Sequence, residues 1–421
     1  MSALIASIVF ICGYILIALE SKVRVSKSAF ALAMGGILWI ILGFHDSDLV
    51  KEEMVTVAYD IFNVVVFLLA AMSLVEILVH YRVFDVIRGK IFKYKLSDRR
   101  QFLALTGLAF FLSAIIDNMT ATIVMIQISR QFFKGRNMLV AAVGIVIAAN
   151  AGGAFSPIGD VTTIMLWLAG KFEAGDIIMQ GFLPSLALFF VMVIMMMPKV
   201  IESGDDVPDE IVEKLTSTEK LVVSLVGLSF LMPIAAKAIG LTPVLGILFG
   251  VGLTWIVIDV LKSLNGTQTH LNASIEHMLQ KTDISSLQFF IGILLAVSAL
   301  GALGVLQYVS EFVYGSSQSV SHVIGGNIVL GMASSFLDNI PLTAIAIDIL
   351  HVDSVSLWVL LAISVGTGGS LLALGSAAGV IAMGMIKELS FEEYFKIGFI
   401  PALVSFAAAI AVWGVQYWMI I

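Results

Sequence analysis

Two short polar words set in apolar sequence constrain this chain most: Ser113-Ala-Ile-Ile-Asp117-Asn118-Met-Thr-Ala-Thr122 and Ser334-Ser-Phe-Leu-Asp338-Asn339-Ile-Pro-Leu-Thr343. A carboxylate beside an amide is costly in a hydrocarbon surrounding unless it faces a cavity or binds something, so its appearance twice points to a paired functional site.

The surroundings are hydrocarbon-like along the whole chain. Of 421 residues 59% are hydrophobic and 13% charged, with a mean hydropathy of +1.04, against about 25% charged in a soluble domain. Apolar windows of roughly bilayer length recur, for example at 3–19, 29–44, 61–79, 182–197 and 401–421. They predict an all-α polytopic membrane protein, because barrel strands are about 10 residues long and alternate in polarity. The first window lacks a basic start and a small-residue cleavage signal, and is read as a retained span. Cys12 is the only cysteine. It is expected to pack inside that span, and no disulfide framework or thiolate metal site is available. A net charge of −7 gives no hint of nucleic-acid binding.

The chain repeats itself once. Trp39 pairs with Trp255 and Gly152-Gly153 with Gly368-Gly369 at an offset of 216, Gly181-Phe-Leu-Pro184 with Gly398-Phe-Ile-Pro401 at 217, and Asp117-Asn118 with Asp338-Asn339 at 221. The halves run over 1–200 and 215–421, joined by a charged, proline-bearing cytoplasmic linker at 201–214. In the first half, spans are expected at 3–19, 29–44, 59–80, 138–169 and 176–197. A re-entrant helical hairpin at 101–133 has Asp117-Asn118 at its tip, and 138–169 is a broken helix. In the second half the hairpin is 321–350 and the broken helix 354–387. Five crossings per half is an odd number, so the two repeats have inverted topology, as in many secondary transporters. With both termini outside, at the periplasmic face, 20 of the 23 Lys and Arg fall on the cytoplasmic side, Lys22, Arg24 and Lys27 among them.

Each half thus offers a hairpin tip and an unwound helix, whose freed backbone groups are tolerated at membrane depth only where protein or a wet cavity satisfies them. The first break is Asn150-Ala-Gly-Gly-Ala-Phe-Ser156-Pro157-Ile-Gly159-Asp160. The second is Gly366-Thr367-Gly-Gly-Ser370-Leu-Leu-Ala-Leu-Gly375-Ser376. Each break is expected to face the tip of its own hairpin and gather carboxylate, amide, hydroxyl and carbonyl oxygens, the ligand set of a hard cation. Asp117, Asp160 and Asp338 would repel an oxyanion and attract a cation. An aspartate withdrawn from water holds either a proton or a metal ion at neutral pH, and competition between the two is the simplest route to cation/proton exchange.

Blander roles compete for the same residues. Asp117, Asp338 and Asp160 could each cap a helix, and the Gly-Gly pairs could be close-packing contacts. Glu76, one turn before His80, suits a structural pair; Asp348, Asp353 and His322 suit solvated positions near the outer end of the second hairpin; the 19 Met suit packing. The histidines show no metal-ligand spacing and no nucleophile–base pair is evident, so an intramembrane enzyme lacks a constellation.

The segments 114–125, Gly152-Gly-Ala-Phe-Ser-Pro-Ile-Gly-Asp-Val-Thr-Thr-Ile-Met-Leu-Trp167 and 335–343 resemble the signatures of the NhaD-type sodium/proton antiporters, within the ion transporter superfamily. The resemblance runs along nearly the whole chain. It implies a bacterial inner-membrane exchanger of Na+, and often Li+, for H+, without a cofactor, built as a homodimer with a scaffold and a moving transport domain. Dicarboxylate carriers of the superfamily have Ser-Asn-Thr where this chain has its acidic tips, and arsenite permeases carry similar Asp-Asn words. An arsenite or carboxylate/oxyanion carrier is therefore the alternative reading. The first half has Asn150 and Asp160 where the second has Gly366 and Ser376. The dominant Na+ site is accordingly expected at Asp117, Asn118, Asn150, Asp160 and Thr162 or Thr163. A second site for a cation or proton is expected at Asp338, Asn339, Thr367, Ser370 and Ser376.

Overall fold

The computed structural model describes residues 2–93, 96–202, 215–265 and 283–420. Apart from residues 201 and 202, the linker expected at 201–214 lies outside these. Among the described residues all regular structure is helical, and eight helices are long and apolar enough to cross a bilayer. The chain is a multi-pass membrane protein.

The first half contributes α1 (Ser2–Ala18), α2 (Glu20–Val23), α3 (Lys27–His45), α4 (Ser47–His80), α5 (Val83–Lys93), α6 (Asp98–Ser113), α7 (Asn118–Ser129), α8 (Gly135–Gly153), α9 (Val161–Leu168) and α10 (Ala174–Met196). The second contributes α11 (Ser217–Ser229), α12 (Met232–Ala238), α13 (Pro243–Asn265), α14 (Ile284–Ala302), α15 (Val305–Tyr314), α16 (Val320–Ala333), α17 (Asn339–Ile349), α18 (Val355–Gly368), α19 (Ala377–Met385) and α20 (Phe391–Ile420).

Two details differ from the sequence reading. The helix expected from residue 59 begins twelve residues earlier, at Ser47, because Asp46 caps it by accepting from the Asp48 and Leu49 amides and no breaker intervenes. At 34 residues α4 is about 51 Å long, more than a bilayer requires. Cys12 is exposed rather than packed. Only one side of α1 meets α3, where Gly13 abuts Met34, and the adjacent position turns outward.

Packing between the halves follows an exchange rule. The first arm of each hairpin lies on the first arm of its own broken helix (α6 on α8, α16 on α18), whereas the second arms cross over: α7 packs on α19 and α17 on α9. Likewise α3 packs on α14 and α13 on α4. Two glycines permit the close approach within each half. A Cβ at Gly152 would collide with the Phe110 carbonyl, and one at Gly368 with the Gly331 carbonyl. The α8 and α18 helices show no polar face and are buried almost throughout, so they form the centre of the molecule.

The last helices of the two halves, α10 and α20, pack together and carry Pro184 and Pro401 at matched positions. Pro401 has no N–H to give the Ile397 carbonyl one turn earlier. The Lys199 ammonium donates to that carbonyl instead, at 2.7 Å.

Candidate ion-binding site

Four half-helices begin around one small cavity: α7, α9, α17 and α19. Their N-cap residues are Asp117, Asp160, Asp338 and Ser376. Asp117, Asp160 and Asp338 all line the cavity, which has a volume of about 60 Å³, and the convergent helix N-termini favour negative charge there.

The three carboxylates are not equivalent. Asp117 is engaged by its own helix: Oδ1 accepts from the Thr120 amide at 2.8 Å and Oδ2 from the Thr120 hydroxyl at 2.6 Å. Asp338 Oδ1 accepts from the Ile340 amide at 3.2 Å, while Oδ2 lies 3.3 Å from Lys27 Nζ. Asp160 makes no side-chain cap bond to α9. Its carboxylate is 1% exposed and accepts from Asn118 Nδ2 at 2.9 Å and from Asn339 Nδ2 at 3.3 Å to each oxygen. The central acid therefore draws one amide from each hairpin tip, and among the described residues no basic side chain is hydrogen-bonded to it.

Behind Asp160 the network continues across the halves. Asn118 Nδ2 donates to Asn150 Oδ1 at 3.0 Å, and Asn150 Nδ2 donates to the Ser370 and Ser376 hydroxyls at 2.8 and 3.0 Å. The absence of a side chain at Gly366 lets α18 reach the Asp160 carboxylate, since a Cβ there would sit 3.0 Å from Oδ2. Thr162 places its buried hydroxyl beside Asp160, where the oxygen has lone pairs that can ligate an ion.

The two groups of residues expected as separate sites meet in one network, because the second arms cross between the halves. Asp160, Asn118, Asn339, Asn150, Ser370 and Ser376 are brought together, with Thr162 alongside. Asp117 and Asp338 border the same cavity but serve as caps. The Thr163 hydroxyl donates to the Asp160 carbonyl at 2.8 Å, and the Thr367 hydroxyl donates to the Ile363 carbonyl within α18 at 2.6 Å, so each commits its proton to local backbone.

Two residues at the site escaped the sequence reading. Tyr394 on α20 donates to the Ser370 carbonyl at 2.8 Å, and nothing in its local sequence announces this. Lys27 reads as one more charge at a helix start, and only its distant partner Asp338 reveals a role. His322 is exposed and bonded to the Ser319 hydroxyl, and Asp353 is exposed. Asp348 instead joins Glu53, Asp60 and Asn63 around a larger cavity of about 360 Å³, lined by Met165 and Leu168 of α9. The cavity at the tips is lined by Ile164 of the same helix, so α9 runs along both.

Comparison with known proteins gives a consistent relationship. A family model described as a citrate transporter, CitMHS, matches residues 14–366. Sodium/proton antiporter 2 of Arabidopsis thaliana is 34% identical over 93% of this chain and 94% of its own length. The Na(+)/H(+) antiporters NhaD of Alkalimonas amylolytica and Vibrio cholerae are each 29% identical, over 94% and 95% of this chain and 88% and 90% of their own lengths. These are transporters rather than enzymes. With its acidic word at 152–167 folded around Asp160, the chain belongs to the CitMHS transporter family and, within it, to the NhaD-type sodium/proton antiporters.

Proposed function

We propose that this protein exchanges Na+ for H+ across a membrane, with Asp160 as the group that carries one or the other. The observation that carries the reading is the state of that carboxylate: buried, without a side-chain cap bond to α9, facing a cavity, and accepting from the amides of Asn118 and Asn339. Amide donors orient an ionised carboxylate but do not neutralise it. In a dry site a proton or a small cation is the species that does. The two cannot occupy the same oxygens together, and one carboxylate alternating between them is an exchanger.

The carbonyl and amide oxygens of the broken helices and the Thr162 hydroxyl complete an oxygen shell suited to Na+ or Li+. Asp117, at the rim, adds negative charge on the approach. The acidic lining of the larger cavity, Glu53, Asp60 and Asp348, supplies a second route of the same sign. Access then alternates as the hairpins and broken helices, roughly 101–169 and 321–387, move against the remaining helices in an elevator-like manner. The exchange of packing partners between the halves supports inverted repeats. Homodimerisation, acceptance of Li+ and a place in a bacterial inner membrane, with both termini periplasmic, come from the family resemblance and the charge distribution.

One feature favours a second reading, carriage of a carboxylate such as citrate: the cavity has a lysine and four helix N-termini, which suit an anion. Three aspartates line the same small cavity, and the lysine is already paired with one of them. Purified protein in liposomes bearing an imposed pH gradient separates the readings. Addition of Na+ or Li+ is expected to dissipate the gradient, with K+ and citrate without effect; a response to citrate alone overturns the exchange reading.

A further inference from the structure

The cavity at the hairpin tips contains three carboxylates and one ammonium, and the ammonium comes from outside the hairpins and broken helices. Lys27 begins α3, which packs on α1 and α14. The first turn is held in place: Ser26 caps it by accepting from the Ala29 amide, and the Lys27 amide donates to Glu20 Oε1 at 2.8 Å. From there the side chain crosses the Phe289 ring, with Nζ 4.4 Å from its centroid, and reaches Asp338 Oδ2 at 3.3 Å.

The sequence explains why Asp338 has an oxygen to spare and Asp117 does not. Thr120, two residues after Asn118, supplies both an amide and a hydroxyl to Asp117. The matching position in the second half is Pro341, which has neither. Asp338 therefore caps through the Ile340 amide with one oxygen only, and the other is left for a cation.

We propose that the Lys27 ammonium is a tethered competitor for the transported cation: it holds Asp338 while the tips are empty and yields it when Na+ enters, so that loading releases the second hairpin from α3. The proposal rests on the exchange reading above. Lysine suits the task because its ammonium is a strongly hydrated point charge on a flexible stem. At 28% exposure of Lys27 and 17% of Asp338, the pair is neither a solvated contact nor a fully buried one, so it can open without stranding a charge. The other polar groups facing the pair are Tyr14 of α1, Glu20 of α2, Ser286 of α14, and Asp117 and Asp160 across the cavity. Lys27 is the sole basic group in that lining among the described residues.

Stabilisation of the purified protein against heat by increasing Na+ tests the proposal, because it reads binding without turnover. Lys27→Met keeps the length of the side chain and removes its charge; Lys27→Arg keeps the charge. The half-saturating Na+ concentration is expected to fall about threefold to tenfold in Lys27→Met, to stay within about twofold of the wild type in Lys27→Arg, and to be indifferent to Lys27→Met when Asp338→Asn is already present. In liposomes Lys27→Met should lower both the KM for Na+ and kcat, since release loses its competitor. A wild-type half-saturation in Lys27→Met, an equal shift in Lys27→Arg, or persistence of the effect beside Asp338→Asn overturns the competitor role and leaves the exchange reading intact. If Na+ stabilises neither the wild type nor any variant, both fall.

Discussion

Asn339 donates to both oxygens of Asp160, at 3.3 Å each, from 179 positions further along the chain. Asn118 reaches the same carboxylate at 2.9 Å from the other hairpin. One acid is thereby read by two structurally matched tips. Any ion or proton that changes its charge acts on both hairpins at once.

Asp160→Asn retains the shape of the side chain and deletes the charge, so Na+-driven proton movement in liposomes is expected to fall at least about 100-fold, a loss of roughly 3 kcal/mol or more in the transport step. Asp117→Asn is expected to behave differently. Asn caps a helix about as well as Asp, so the fold persists and the missing rim charge raises the KM for Na+ while turnover survives at saturating Na+. Equal inactivation of the two variants contradicts the division of roles.

Competition between Na+ and H+ at one carboxylate has a kinetic signature. As pH falls the KM for Na+ should rise, approaching about tenfold per pH unit where the proton dominates, with the maximum rate unchanged. Initial rates over a grid of Na+ concentration and pH check this. A fall in maximum rate at constant KM points to separate sites.

Close packing at the matched glycines makes a structural prediction. Gly152→Ala and Gly368→Ala force a Cβ into a backbone carbonyl, and each is expected to cost about 3 kcal/mol or more and to reduce the yield of folded protein. Gly36→Ala, which meets nothing within 4 Å and lies in the middle of α3, should be neutral or slightly stabilising. Thermal unfolding in detergent measures all three.

Asn150 ties the halves together through Ser370 and Ser376. Asn150→Ala leaves those hydroxyls and the Asn118 amide short of a partner, an expected loss of about 1–3 kcal/mol. The unfolding temperature should drop, and Ser370→Ala, which removes a single bond, should cost less. Equal stability of Asn150→Ala and the wild type would remove the network from the account.

The elements were legible because their signals are local. Apolar length gives the spanning helices, and Asp-Asn and Gly-Pro interruptions mark where α6 gives way to α7 and α8 to α9. The identity of the central acid was only half legible. Asp117 and Asp160 look alike in sequence, and what separates them is that Thr120 engages both oxygens of the first locally, whereas the second makes no side-chain cap bond to α9 and is reached by Asn118 and Asn339 from the two hairpins. The joining of the two expected groups of residues in one hydrogen-bond network was not legible, because the crossing of α7 onto α19 and of α17 onto α9 is a long-range packing choice that leaves no trace in either repeat alone. Lys27 was hidden for the same reason: its partner Asp338 lies 311 positions away.

Proton release on Na+ binding tests the central claim most directly. In weakly buffered solution with a pH indicator, adding Na+ to the purified wild-type protein should release protons, and Asp160→Asn should release none while Asp117→Asn and Asp338→Asn still do. Undiminished release from Asp160→Asn would contradict the account, since the proton displaced by sodium would then reside on another group.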